Sequence, residues 1–485
     1  MFSGNNLVSI RKALPVQVSH DFTPESAVFD DGNLVSCAGL VPVMAEQAGL
    51  SALLADKVHI AEPRIRPGSA NPAPKLATLI AGMCAAADCI DDVDVVRSGG
   101  MKTLSGGVYA PSTIGTLLRE FSFGHARQLE SVLRHHLSAL CDRVDLLPGA
   151  DVRNFIDIDS LLRPVYGHAK QGASYGHTKI AGRQILRKGL SPLVTTVSTE
   201  GGAPVITGAR LRAGRANSAK GAPRMIAQAV ATARAAAVAG EIVVRADSAY
   251  GTAVVATACR RAGAKFSLAL TKNRSVAKAI TAIPDTAWTP VSYPGAVRDP
   301  DTGEWISDAE VAETTYTAFG STTHPITARL IVRRVKDARY PDALFPIWRY
   351  HPFLTDTGDP VDQADIAHRR HAIIETVFAD LIDGPLAHIP SGRFGANSAW
   401  ILCAAIAHNL LRATGVLAGD AHAAARGATL RRRIVHIPAR LARPQRRPVL
   451  HLPSHWPWAP AWKTLWRNTF SATPRLRPPP ATVPA

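Results

Sequence analysis

Apolar and polar positions fall into three successive regimes along the chain. Residues 34–57 and 75–96 carry helical periodicity, and the second stretch (KLATLIAGMCAAADCIDDVDVV) is apolar on nearly every side for three turns, which predicts burial. The prolines and glycine of EPRIRPGSANPAP make the intervening segment a loop. In APSTIGTLLREFSFGHARQLESVLRHHLSAL, Ser112 or Thr113 is the expected N-cap of a helix running to Phe121. Gly124 is the expected break, and a second helix puts Leu129, Val132, Leu133 and Leu137 on one face. The pair carries Arg119, Arg127, Arg134, His135 and His136, and fits either a helix-turn-helix that enters a DNA groove or plain helical packing.

From residue 152 the period changes to that of strands. VRNFIDID alternates, PLVTTVST is β-branched and APVITGARLR follows; then come an Ala-rich helix (PRMIAQAVATARAAAV), the strand EIVVRAD, a second helix and the strand FSLALTKN. Three strands, helix, strand, helix, strand is the order of an RNase H-like core, so the expected class is α/β, a mixed sheet with flanking helices. From about 280 to 345 helical signal disappears, predicting a β-rich insertion. The strand FPIWRYHPFL then leads into helices, the last of which (AWILCAAIAHNLLRATGVL) is apolar enough to require burial. The expected divisions are a helical N-terminal domain over 1–150 that binds DNA ends, a catalytic domain over 151–415 and a basic arm over 416–485. Two Tyr-Gly-His triplets, Tyr166 to His168 and Tyr175 to His177, read as loop residues rather than a metal loop.

Charge narrows the partner. The 485 residues carry a formal charge of +17, and the isoelectric point is near 10.0. Basic side chains that neutralise phosphates release counterions, so a polyanion is favoured. After Asp420 there are twelve Lys and Arg and no acid, among them Arg431, Arg432 and Arg433, and prolines interrupt the segment throughout. That composition predicts an extended arm ordering on a phosphate backbone. Mean hydropathy is +0.03, no apolar run reaches the roughly 18 residues of a membrane span, and the opening MFSGNNLVSIRKALP lacks the apolar stretch of a signal peptide. The expectation is a cytoplasmic protein with no membrane partner. Six cysteines without a CxxC pair support neither a zinc ribbon nor a disulfide framework.

Three segments carry candidate chemistry. Phosphoryl transfer on DNA calls for two divalent cations about 4 Å apart, held by carboxylates from separate elements. In Phe155-Ile156-Asp157-Ile158-Asp159-Ser160, alternation puts Asp157 and Asp159 on one strand face, an arrangement costly without a counter-charge. Asp247 lies where a buried strand gives way to a small-residue turn. In His368-Arg369-Arg370-His371-Ala372-Ile373-Ile374-Glu375, helical spacing aligns His368, His371 and Glu375. A cation on Glu375 with neighbouring bases on phosphates is one outcome there; a surface ion-pair helix and a His-His-Glu zinc site are the others.

Through FIDIDSLLRPVYGHAKQGASYGH, RADSAYG, HRRHAIIE and PSGRFGANSAWILCAAIAHNLL the chain, from about Ala38 to Gly415, resembles the DDE transposases of bacterial insertion sequences. The group resembled is the cut-and-paste one with a Tyr-x2-Arg-x3-Glu-x6-Lys signature. The resemblance implies Asp159, Asp247 and Glu375 as catalytic metal ligands, with Asp157 as the alternative for the first position. It implies Mg2+, with Mn2+ able to substitute, two ions per site, and double-stranded DNA (inverted-repeat ends and target) as substrate for a homodimer assembled on DNA. It also implies an aromatic in the insertion that stacks on a flipped base, with Trp288 and Trp305 as candidates. Where the family has Tyr, Arg and Lys, this chain has His368, His371 and Ile382, so the expected DNA grip draws on His368, Arg369, Arg370, His371 and Arg393. The alternatives are a nuclease or resolvase with the same core, and a transposase-derived DNA-binding protein that no longer cuts.

Overall fold

The computed structural model describes residues 32–470 apart from 46–47, 61–69, 106, 168, 181–182 and 341–343. Most of the loop expected between the first two helical stretches, His168 of the first Tyr-Gly-His triplet, the opening segment and the last fifteen residues of the expected arm therefore lie outside the described residues.

A nine-stranded sheet organises the chain. Its strands are β1 (Arg153–Ser160), β2 (Leu193–Ser198), β3 (Val205–Arg210), β4 (Glu241–Ala246), β5 (Lys265–Ala269), β6 (Thr289–Pro290), β7 (Ala309–Ala318), β8 (Ile326–Lys336) and β9 (Trp348–Thr355). They lie in the order β6-β7-β8-β9-β5-β4-β1-β2-β3. β1, β4 and β5 are parallel, and β2 and β3 complete an antiparallel meander. Helix α6 (Ala222–Ala235) joins β3 to β4 and α7 (Ala253–Arg261) joins β4 to β5. This half is RNase H-like, as its pattern of elements predicts. β4 is buried along EIVVRA after its first residue, which suits a parallel strand covered on both faces. α6 buries Ala222, Met225, Ile226, Ala229, Val230 and Ala233, one stripe at helical spacing.

The β-rich insertion is an extension of the same sheet. β7 and β8 pair over ten residues, β8 pairs with β9, and β9 adds to β5. A second departure lies between β1 and β2, where a hairpin of strands Ser174–Ile180 and Arg183–Leu190, joined by Arg163–Pro164, forms its own small sheet.

The N-terminal helices, among them α1 (Leu40–Ala45), α2 (Leu50–Lys57), α3 (Pro72–Cys84), α4 (Pro111–Glu120) and α5 (Phe123–Arg143), share one hydrophobic core with the sheet. Residue 150 separates two stretches of chain, not two cores. Pro111 opens α4, and Ser122, not a break at Gly124, starts α5 through a capping box with His125. α5 buries Leu129, Val132, Leu133, His136 and Leu137, and Glu130 takes Arg127 and Arg210.

Beyond α8 (Arg274–Thr281), α9 (Val361–Arg369) and α10 (Ile374–Ile382), the helix α11 (Phe394–Leu417) runs through this core. It is long and apolar enough to cross a membrane, but every residue from Ala396 to Gly415 is buried by protein. It packs on α3, α4, α5 and β3. Asn409 completes the free edge of β3, accepting from Ile206 N at 2.8 Å and donating to Ile206 O at 2.9 Å.

The extended arm expected after Asp420 is instead folded through residue 470. Leu34 and Val35 pair with Arg440 and Ala439, and Ala38 and Gly39 donate to the carbonyls of Ile437 and Val435. A Cβ on Gly39 would stand 2.0 Å from the Ile434 carbonyl oxygen, so this crossing requires glycine. Ile434, Val435, Ile437, Trp462 and Leu465 are buried, the last two on α12 (Ala459–Phe470). The prolines and arginines mask an apolar stripe that outweighs them. Leu465→Ala is accordingly expected to cost about 2–5 kcal/mol in a urea melt; a change within about 0.5 kcal/mol, typical of a free surface position, would contradict this packing.

Candidate active site

Parallel pairing of β1 and β4 sets Asp157 opposite Arg245. Both are buried, 0% and 1% exposed, and a lone charge of either sign there would be costly. They neutralise each other in a two-pronged pair, Arg245 Nε and Nη2 donating to the two Asp157 oxygens at 2.8 and 2.7 Å. The third guanidinium nitrogen donates to the Ala367 carbonyl on α9 at 2.8 Å, and the guanidinium lies 4.1 Å over the Phe155 ring. His371, in the 3-10 turn Arg370–Ile373 between α9 and α10, shares a 2.9 Å hydrogen bond with Asp157 through Nδ1.

Electrostatics follow this geometry. Burial works against the charge on Asp157, but Arg245 and His371 overcome it and hold the carboxyl below its usual range. Burial likewise works against a cation on His371, yet the Asp157 hydrogen bond and the Asp157 and Asp159 charges raise it. Asp157, the alternative first ligand, is thus committed to protein partners.

Each member of this triad precedes an acid by two or four residues of chain. Asp159 is two residues beyond Asp157 near the end of β1; Asp247 is two beyond Arg245, just past the end of β4; Glu375 is four beyond His371, in the first turn of α10. Asp159 responds to both of the others: burial, then the Asp247 and Glu375 charges, push its carboxyl up to about 6 against the opposing Ser160 N–H and His371. That N–H donates to Asp159 Oδ1 at 2.6 Å. Asp247 and Glu375 are exposed, so the acids line an opening rather than a closed cavity. Beside them Tyr250 is fully buried, its hydroxyl facing Ser160 and Arg212, and burial and the Asp159 charge push that hydroxyl up.

Among the described residues, the group whose ligand atoms all lie within 4.8 Å of one another is Asp88, Cys89 and Asp92. Asp92 there already accepts from the Asp88 and Cys89 backbone nitrogens.

The other expected contacts divide. His368 stacks on Phe353 at 4.1 Å and hydrogen-bonds Ser267 at 2.8 Å, and its packed surroundings push it down to about 3, so it is a neutral packing residue rather than a phosphate ligand. Arg369 shares buried Asp365 with Arg333, which ties α9 to β8. Arg370, Arg393 and Arg432 are exposed. Arg431, expected on DNA, is 5% exposed and faces Asp383 from the interior. Arg433 lies 5.4 Å over the Trp458 ring. Trp288 is covered by Tyr350 and Arg334, and Trp305 by Arg298.

Residues 23–473, nearly the whole chain, match the family described as Transposase DDE domain group 1. The chain belongs to the DDE transposases. A search of curated proteins found no significant match. In this DDE transposase the partners missed from sequence are Arg245 and Tyr250. Arg245 had a usable signal: a lone charge inside the apolar run VVRA, two residues before an acid, as Asp157 stands two before Asp159.

Asp157→Asn leaves Arg245 buried without a full counter-charge and is expected to destabilise the fold by about 3–5 kcal/mol. Asp159→Asn relieves repulsion among three acids and is expected to leave stability unchanged or raised. Urea melts of the two variants check this, and equal losses would contradict the distinction between a structural and an open carboxylate.

Proposed function

We propose that this transposase cleaves the ends of an insertion sequence and joins them to target DNA, with Asp159, Asp247 and Glu375 as its catalytic residues. The observation that carries the reading is convergence: the charges of Asp247 and Glu375, from two other elements, add to burial in raising the Asp159 carboxyl, and the Asp157–Arg245–His371 triad lies directly behind them. Three carboxylates, two of them exposed and both felt by the third, form a hard oxygen donor set that fits Mg2+, with Mn2+ as substitute. Two such ions, when bound, activate the attacking oxygen and stabilise the leaving one.

The chain supplies placement. The triad keeps the Asp159, Asp247 and Glu375 backbones in fixed relation, and Asp247 Oδ1 is steadied by the Ala249 N–H at 2.9 Å. Exposed Arg370, Arg393 and Arg432 grip the phosphate backbone, which orients the scissile phosphate without reading its sequence. Water attacks that phosphorus in line, the P–O3′ bond breaks, and the departing oxygen takes a proton to become a 3′-hydroxyl. The hydroxyl then attacks a target phosphorus, forming a new P–O bond as the target's own 3′-oxygen leaves. No covalent protein–DNA link is required. Because both ends must be processed together, the working form is a homodimer assembled on DNA in the cytoplasm.

Incubation with DNA bearing the inverted repeats that flank the gene, in Mg2+ or Mn2+, tests the reading. The wild type is expected to cut at the repeat ends, and Asp159→Asn, Asp247→Asn and Glu375→Gln each to lose more than about 100-fold, the upper range for removing an outer partner of a metal ligand. Equal cutting by wild type and Asp247→Asn, or none by either, overturns it.

A further inference from the structure

Directly after Asp159 the chain leaves the sheet and builds the hairpin Ser174–Ile180/Arg183–Leu190. Its base is fixed to the loop that follows the Glu375 helix: Lys170 Nζ donates to the Ile389 and Ser391 carbonyls, Gln171 N to Gly392 O, and Arg163 Nη2 to Ala387 O. The hairpin thus continues from the strand that carries Asp159 and is anchored to the loop beyond the helix that carries Glu375.

Its two faces differ. On one, glycines permit backbone contact: a Cβ on Gly176 would stand 2.2 Å from the Gly214 oxygen, and one on Gly189 2.5 Å from the Arg163 oxygen. On the other, the register pairs Tyr175 with Lys188 and His177 with Leu186, so these four side chains share a face. Tyr175 is 66% and Leu186 60% exposed, with His177 exposed between them. Between Asp159 and Glu200 the sequence has six Lys and Arg and no acid. Arg187, paired with Gly176, and Arg215, whose N donates to Ser174 Oγ at 2.8 Å, are exposed along the glycine side of the hairpin and add to the basic surroundings. An aromatic ring and an aliphatic side chain open to solvent within a purely basic segment do not suit a protein partner of ordinary mixed charge. They suit a polyanion that also offers flat apolar faces.

We propose that this hairpin face is a platform for an unpaired stretch of the DNA strand beside the acid site, with Tyr175 stacking on a base, Leu186 in apolar contact beside it and Lys188 on a phosphate. The inference rests on the transposase reading above and deepens it by naming the strand form engaged. Stacking on one aromatic side chain is sequence-tolerant and is lost on truncation to alanine.

The test reads binding in EDTA, where nothing is cut, so it is independent of catalysis. The full chain is titrated by fluorescence anisotropy against a blunt mixed-sequence duplex and the same duplex carrying a single-stranded tail with 2-aminopurine. The wild type is expected to prefer the tailed DNA and to change the 2-aminopurine emission. Tyr175→Ala should weaken tailed binding by about 5- to 100-fold, Tyr175→Phe should restore it, and blunt-duplex binding should not move. Tyr175 is exposed, so the melting temperature should be unchanged. Tailed binding by Tyr175→Ala and Leu186→Ala equal to wild type, or equal loss on blunt and tailed DNA, overturns the proposal. A protein that discriminates as expected but never cuts sinks the catalytic reading alone.

Discussion

The Asp157–Arg245 pair is a charge interaction placed where water cannot reach it, and the functional end of the molecule is built around it. Ions this deep do not stabilise a fold merely by being there; an apolar pair of similar volume often does as well. What they supply is a single geometry, because any slip leaves an unpaired charge in the interior. Here the pair spans β1 and β4, extends through Arg245 to the Ala367 carbonyl and through His371 to the turn before α10. The strand pairing alone would align β1 with β4. The triad, with Ile374 packed in the core that holds Ile156 and Ile158, brings the start of α10 into the same frame, and α10 carries the third acid.

The outer layers hold that frame. α9 is tied to β8 by the Arg333–Asp365–Arg369 cluster, so the extended part of the sheet braces the helix that receives Arg245. α10 is tied from behind by the folded C-terminal segment, where Arg426 bridges Asp380 and Asp383 and the Gly427 N–H donates to Asp380. The same segment pairs with the first strand described and buries Trp462 and Leu465. Residues far apart in sequence therefore close one core around α11, and among the described residues the arginines after Asp420 sit on folded elements.

Local pattern carried the core of the sheet and the burial of α11, because each of those elements declares its environment in its own residues. The three acids stood out for different local reasons: Asp159 as a charge within an apolar strand, Asp247 at the end of a buried one, and Glu375 by its helical spacing from His368 and His371. Choosing Asp159 over Asp157 was a different problem: both share a strand face, and what separates them is Arg245, distant in sequence and visible only when β1 and β4 are side by side. His368 misled because helical spacing aligned it with His371 and Glu375, whereas the 3-10 turn Arg370–Ile373 interrupts the helix and Phe353 covers the ring. The C-terminal segment misled because proline and arginine content outweighed an apolar stripe spread over short, irregular elements. The β1–β2 hairpin was hidden by its glycines, which read as loop and serve instead for close backbone contact.

On the function proposed above, a rigid, protein-neutralised triad supports a separate, open set of three acids that binds cations. Mn2+ binding by the full chain, read by electron paramagnetic resonance of the free ion, tests it most directly. The account predicts that Asp159→Asn, Asp247→Asn and Glu375→Gln each weaken Mn2+ binding while Cys89→Ala leaves it unchanged. Unaltered Mn2+ affinity in all three acid variants, or a loss only with Cys89→Ala, would contradict it.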